Sequence, residues 1–323
     1  MIYVIYLLKI LIMFKYLKKI FSVFLIFNLT FVSSAQAAPT FIDSFDVSGQ
    51  DTNPRGLRFN NDGTKMFVVG NDGEDINEYT LSTSFDVSSA SFVDSFDVSG
   101  QDTKPRGLRF NNDGTKMFVV GNDGDDINEY TLSTSFDVSS ATFVDSFDVS
   151  GQDTGPVSIA FNNDGTKMFV SGNAGDDINE YTLTTGFDVS SATFVDSFDV
   201  SGQDTGPKGI TFNNDGTKMF VVGNAGDDIN EYTLTTGFDV SSATFVDSFD
   251  VSGQDTAPRG LTFNNDGTKM FVVGNAGEDI NEYTLSCHFK VTATSTCDAP
   301  PKIKEVRGIV DAQINTAKNF AKD

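Results

Sequence analysis

The 323-residue chain has no tryptophan, one histidine and two cysteines. The histidine, His288, lies in a divergent tail, so a Ser-His-Asp arrangement built from the body of the chain has no base. Cys287 and Cys297 are too few for a four-ligand zinc site and sit close together, which predicts one local disulfide in an oxidising compartment. Helical apolar spacing is absent until residue 302, which excludes helices from most of the chain.

Acid is missing from one place only: the first forty residues contain no aspartate or glutamate. From Met13, itself an alternative start, the chain reads MFKYLKKIFSVFLIFNLTFVSSAQAAPT, with lysines, an apolar run from Phe21 to Val32, and the small-x-small triplet Ala35-Gln36-Ala37. This order predicts a signal peptide over residues 1–37. The competing membrane anchor, lengthened by MIYVIYLLKILIM, is interrupted by Lys15, Lys18 and Lys19. Cleavage removes four of 22 basic residues and none of 45 acidic ones, taking the net charge from −23 to −27. Such a surface repels nucleic acid and anionic membranes, so neither nucleic-acid binding nor membrane insertion of the mature chain is expected. The expected location is secreted, periplasmic or cell-surface.

What the chain has in excess is repetition. FIDSF at Phe41 returns as FVDSF at Phe92, Phe143, Phe194 and Phe245, always 51 residues apart. That period lies just above the span of one four-stranded propeller blade. In the second copy, 92–98, 107–110, 116–120 and 127–132 read as strands, and Asp113-Gly114 marks a tight hairpin. The N-terminal segment 41–47 supplies an outer strand without its three companions, whereas 258–285 supplies three strands without an outer one. The array therefore predicts an all-β fold, a five-bladed β-propeller over residues 38–287 closed by its N-terminal outer strand. An open right-handed β-solenoid is the alternative. Phenylalanines such as Phe41, Phe45, Phe59, Phe67 and Phe85 are expected to fill the core between blades.

Beyond the repeats, residues 288–301 form the cysteine loop and a linker with Pro300-Pro301. In 302–323, Ile303, Val306, Val310, Ile314, Ala317 and Ala321 recur at three- and four-residue steps. This predicts a short C-terminal amphipathic helix, docked on the propeller or paired with another chain.

The unit from Pro105 to Leu132, PRGLRFNNDGTKMFVVGNDGDDINEYTL, resembles the blades of YVTN-type and lactonase-like propellers. The segment FDVSSATFVDSFDVSGQDT is similar to tandem propeller repeats of exported bacterial proteins. The tail is similar to the linker helix that precedes an outer-membrane barrel in some bacterial surface proteins, although no barrel strands follow. The resemblance implies architecture. Lactonase-like relatives use distinct acidic, amide or histidine residues from different blades, and no such set stands out here.

One propeller face should carry the Gly-Gln-Asp-Thr and Gly-Asn-x-Gly-x-Asp loops. The ligand-binding candidates are thus a ring of Gln50, Gln101, Gln152, Gln203 and Gln254 with Asp75, Asp126, Asp177, Asp228 and Asp279. Such a ring could hold a ligand, or a calcium ion through oxygen ligands, although the calcium-loop spacing is not matched. The alternative is turn chemistry alone. Arg55, Arg106, Lys208 and Arg259, each following the blade proline, either meet an anionic ligand or form ordinary ion pairs with Asp51 and its equivalents, the latter being favoured. Five equal copies offer one residue five times, not the different roles that catalysis needs, so no catalytic residue, metal or cofactor is assigned. The function expected is a non-enzymatic, multivalent binding or display module for glycans or other cell-surface components, similar to tachylectin-type lectins. Tyr79, Tyr130, Tyr181, Tyr232 and Tyr283 could stack on sugars only if they reach the surface. The alternatives are a lactonase-like or glycan-cleaving hydrolase and a structural scaffold.

Overall fold

A computed structural model describes residues 38–292 and Cys297. The signal peptide over 1–37 and the helix over 302–323 lie outside the described residues. The first strand, β1 (Thr40–Asp46), is followed by β2 (Pro54–Phe59), β3 (Lys65–Gly70), β4 (Asp75–Leu81) and β5 (Ala90–Asp97). The pattern returns as β6 (Pro105–Phe110), β7 (Lys116–Gly121), β8 (Asp126–Leu132) and β9 (Ala141–Asp148), and then as β10 (Pro156–Phe161), β11 (Lys167–Gly172), β12 (Asp177–Leu183) and β13 (Ala192–Asp199). The last units are β14 (Pro207–Phe212), β15 (Lys218–Gly223), β16 (Asp228–Leu234) and β17 (Ala243–Asp250), with β18 (Pro258–Phe263), β19 (Lys269–Gly274) and β20 (Asp279–Thr284).

These strands form five antiparallel four-stranded sheets. Four sheets are sequential, and the fifth joins β18, β19 and β20 to β1, with Thr40 opposite Thr284 and Asp46 opposite Asp279. The N-terminal strand therefore closes a five-bladed β-propeller. Strands β2, β6, β10, β14 and β18 are the innermost and neighbour one another around the axis. Cys287 and Cys297 are joined by a disulfide.

The hairpin between β2 and β3 shows why the local sequence recurs. Asn60 Oδ1 accepts from Lys65 N at 3.0 Å, and Asp62 Oδ1 from Thr64 N at 3.0 Å, so the side chains satisfy the turn's own amides. Gly63 sits at φ +70°, and a Cβ there would lie 2.3 Å from the Phe85 ring. Glycine is required both for the backbone and for the ring that covers it.

Neighbouring blades are fastened by an ion pair between a half-buried lysine and a buried glutamate. Lys65 Nζ lies 2.7 Å from Glu78 Oε1 and donates to Phe136 O of the next blade at 2.6 Å, while Glu78 Oε2 accepts from Val138 N at 3.1 Å. Glu129, Glu180, Glu231 and Glu282 accept in the same way from Val189, Val240, Val291 and Val87, the last crossing the closure. The carboxylate serves two blades, which explains the constant Lys and Glu of each copy.

The core departs from expectation at one phenylalanine. Phe67 and its equivalents are fully buried, and Phe45, Phe59 and Phe85 pack against them or against Tyr79. Phe41, however, is 40% exposed and Ile42 51%, and the same holds for each later outer strand. A register shift between Phe41 and Asp43 interrupts the alternation, and Phe41 meets Tyr283 edge to face. These residues are a rim feature, not core between blades.

Candidate functional site on the propeller axis

The register places the starts of the innermost strands, the ends of the second strands and the starts of the third on one face: Pro54 is opposite Gly70, and Asp75 opposite Asp97. The Gln and Asp loops share that face, as the sequence suggests. Their polar groups are engaged inside the blade. Gln50 Oε1 accepts from Tyr79 Oη at 3.2 Å, and Gln101, Gln152, Gln203 and Gln254 hold Tyr130, Tyr181, Tyr232 and Tyr283 likewise. Asp75 Oδ1 accepts from Asn77 Nδ2 at 2.7 Å, and Asp126, Asp177, Asp228 and Asp279 repeat this bond. Burial raises the pKa of each of these five aspartates. The five tyrosines are at most 1% exposed and offer no stacking surface. Among the described residues no group of three or more acidic, histidine or cysteine side chains is placed to hold a metal.

The axis is different. Its second layer is contributed by equivalent positions of the innermost strands: Arg58, Arg109, Ala160, Thr211 and Thr262. Arg58 bolts the ring together. Its Nη1 donates to Leu57 O at 2.8 Å and Leu261 O at 2.9 Å, and its Nη2 reaches Ile159 O at 3.5 Å and Ile210 O at 3.4 Å. Carbonyl oxygens thus hold this guanidinium without neutralising it. Burial and the charge of Arg109 hold its pKa well below the usual arginine range.

Arg109 has neither a hydrogen bond nor an ion pair among the described residues, and burial pushes it down to about 10. Both arginines line a cavity of about 170 Å³ that opens on the face carrying the Asp-Gly hairpins. Thr211, Thr262, several Phe rings and the Asn pairs of the hairpins complete it. The mouth is held by a closed cycle in which Asn61 Nδ2 donates to Asn112 O at 2.6 Å, Asn112 to Asn163 O, Asn163 to Asn214 O, Asn214 to Asn265 O, and Asn265 back to Asn61 O.

Comparison with known proteins finds only a loose structural likeness. No family model and no curated protein matches the chain. Among solved structures, a luciferin-regenerating enzyme is 13% identical, with 76% of this chain and 95% of that one covered at a TM-score of 0.48. A 6-phosphogluconolactonase candidate from Bacteroides uniformis is 13% identical, with 71% of this chain and 65% of that one covered at 0.46. The Cps50 (Swd1) propeller domain of Myceliophteria thermophila is 8% identical, with 76% and 99% covered at 0.41. The chain spans less than two thirds of the Bacteroides protein, and identities this low transfer no activity.

The opposite end of the axis corrects the ion-pair reading of Arg55, Arg106, Lys208 and Arg259. These four and Val157 form a ring around the mouth. Among the described residues none of the four has an ion-pair partner; the surface pair on this face belongs to Lys104 and Asp123, at 2.7 Å. Asp51 is 2% exposed and its carboxylate is taken up by backbone amides, accepting from Asn53 N at 2.6 Å and Gly73 N at 3.1 Å. The turn consumes the acid that the arginine was expected to use.

The axial positions Arg58 and Arg109 do not stand out in the sequence as single residues. A signal was nevertheless present: the innermost strands read PRGLRF, PRGLRF, PVSIAF, PKGITF and PRGLTF, whereas DINEYTL is identical in all five copies. Divergence concentrates at positions that face the axis.

Proposed function

We propose that the chain is a non-enzymatic binding module that takes one anionic ligand on the propeller axis, in the Asn-rimmed cavity above Arg58 and Arg109. The observation that carries this reading is the half-buried Arg109 guanidinium, which lines the cavity beside a second arginine with no carboxylate partner among the described residues. An uncompensated charge in that position is costly, and an anion bridging the two cations relieves the cost. Guanidinium groups at depth, threonine hydroxyls on the wall and amides at the mouth fit an acidic sugar, with its carboxylate inward and its hydroxyls toward the rim. Among the described residues the lining contains no acid, histidine, lysine or cysteine to act as base or nucleophile, which favours binding over hydrolysis.

This keeps the binding module expected from the sequence but replaces five rim sites with one axial site. Titration calorimetry of the purified protein with glucuronate, using glucose as the neutral control, tests it. One site per chain, absent for glucose and lost in Arg109→Met, supports the reading. Five sites per chain, or binding unaffected by Arg109→Met, would refute it.

A further inference from the structure

The cationic ring at the other mouth is separated from the Asn-rimmed cavity by the Arg58 bolt. The inner strands also pinch together between the two layers: a Cβ on Gly56 would come within 2.8 Å of Arg106 O, and one on Gly260 within 2.9 Å of Arg55 O. A ligand in one mouth therefore cannot pass through to the other. The hollow inside the ring measures only about 10 Å³, room for about one water, so a ligand sits over the ring and not within it.

Three features show that the ring is prepared for an oxyanion. Two of its cations are held by neutral groups: Lys208 Nζ donates to Asn173 Oδ1, and Arg259 Nη1 donates at 2.9 Å to the Asn224 amide oxygen, the orientation that also lets that amide donate to Pro258 O. The buried Nε atoms of Arg55, Arg106 and Arg259 have no hydrogen-bond partner among the described residues. The nearest carboxylates, Asp51, Asp204 and Asp255, accept from backbone amides of their own turns. Four half-buried like charges have thus been gathered within one small ring, where each disfavours the others.

From this geometry we infer that the ring of Arg55, Arg106, Lys208 and Arg259 is a second anion site, selective for one compact, doubly charged oxyanion such as a phosphate or sulfate group. A doubly charged group on the axis faces all four cations at once, and planar guanidinium groups suit its divergent oxygens. The surrounding loops are acidic, with Asp72 and Asp123 on the same face, so an extended polyanion is repelled while a single terminal group is accepted.

The test is an NMR titration of the purified protein with inorganic phosphate, sulfate and methyl phosphate, at ionic strength held constant with sodium chloride, following the arginine Nε–H resonances. The site predicts saturable shifts of Arg55, Arg106 and Arg259 together. Affinity should fall at least about tenfold when Arg106→Met and Arg259→Met are combined, remain unchanged in Arg109→Met, and tighten in Val157→Lys. Because Arg106→Met and Arg259→Met remove mutual repulsion, their thermal stability should not fall, which separates lost binding from lost folding. A response to methyl phosphate assigns an ester-borne group; a response to inorganic anions alone assigns a free ion. If the three resonances fail to shift saturably, or if Arg109→Met abolishes their response, the inference of a separate site fails.

Discussion

Arg109→Met should make the protein more stable and less responsive at once. In the wild type a half-buried guanidinium has no acid partner among the described residues and stands beside a second cation. Replacing buried ionic groups by apolar side chains of similar volume is often neutral or stabilising by up to about 1–4 kcal/mol. The methionine will border a cavity of about 170 Å³ and will not be fully packed, so the lower part of that range, about 1–2 kcal/mol, is expected. For a domain of this size each kcal/mol moves Tm by about 2–4 °C, so Tm without ligand should rise by about 2–8 °C. Glucuronate at about 100 times its Kd should stabilise the wild type by about 2.7 kcal/mol and the variant not at all. Differential scanning calorimetry with and without glucuronate reads both effects. A variant that melts several degrees below the wild type in the absence of ligand, yet keeps the wild-type ligand response, would refute the claim that Arg109 is held for a ligand.

The remaining predictions concern the ring, the blade fastenings and the turns. Lys208 is pushed down to about 8, first by burial and then by Arg259 and Arg106, with Arg55 adding to them and Asp204 opposing. Its folded pKa lies below its unfolded value, so its charge destabilises the fold below about pH 8, and stability should rise from there toward the ordinary lysine pKa. Over the same rise in pH, phosphate binding at the ring should weaken; denaturant melts and titrations across this window should move in opposite directions. Glu78→Ala leaves Lys65 without its carboxylate and Val138 N without its acceptor, and should cost about 3–5 kcal/mol by urea unfolding, whereas Lys65→Met combined with Glu78→Met should recover much of it. Gly63→Ala should cost more than the roughly 1–2 kcal/mol of a left-handed residue, because its Cβ also meets the Phe85 ring. Burial raises the pKa of all five propeller tyrosines above the ordinary phenol value. Stability should therefore fall above about pH 10, with phenolate absorbance appearing together with unfolding.

The architecture was legible because it is written in local chemistry. Asp62-Gly63 fixes a hairpin, the 51-residue period fixes the blade, and the unmatched strand at Phe41 fixes the closure. The exposure of Phe41 was not legible, because a register shift in an outer strand leaves no mark in the alternation of FIDSF. The axis was half legible. Arg55 and its equivalents stood out as departures among the copies, but their nearest acids looked free for pairing; only the folded turn shows Asp51 turned back onto its own amides. Arg58 and Arg109 carry meaning only once five innermost strands converge, since a charged residue at an alternate strand position otherwise reads as solvent-facing. Gln50 and Asp75 misled in the opposite direction, for repetition made them conspicuous while each is bonded to Tyr79 or Asn77 in its own blade.

The central claim is that the ligand lies on the axis and not on the rim, and the most direct measurement is a crystal structure of the protein soaked in glucuronate. The account predicts one molecule per chain in the Asn-rimmed cavity, its carboxylate on Arg109 and Arg58. Glucuronate seated instead at the Gln50 and Asp75 loops of several blades, with the axial cavity holding water alone, would contradict it.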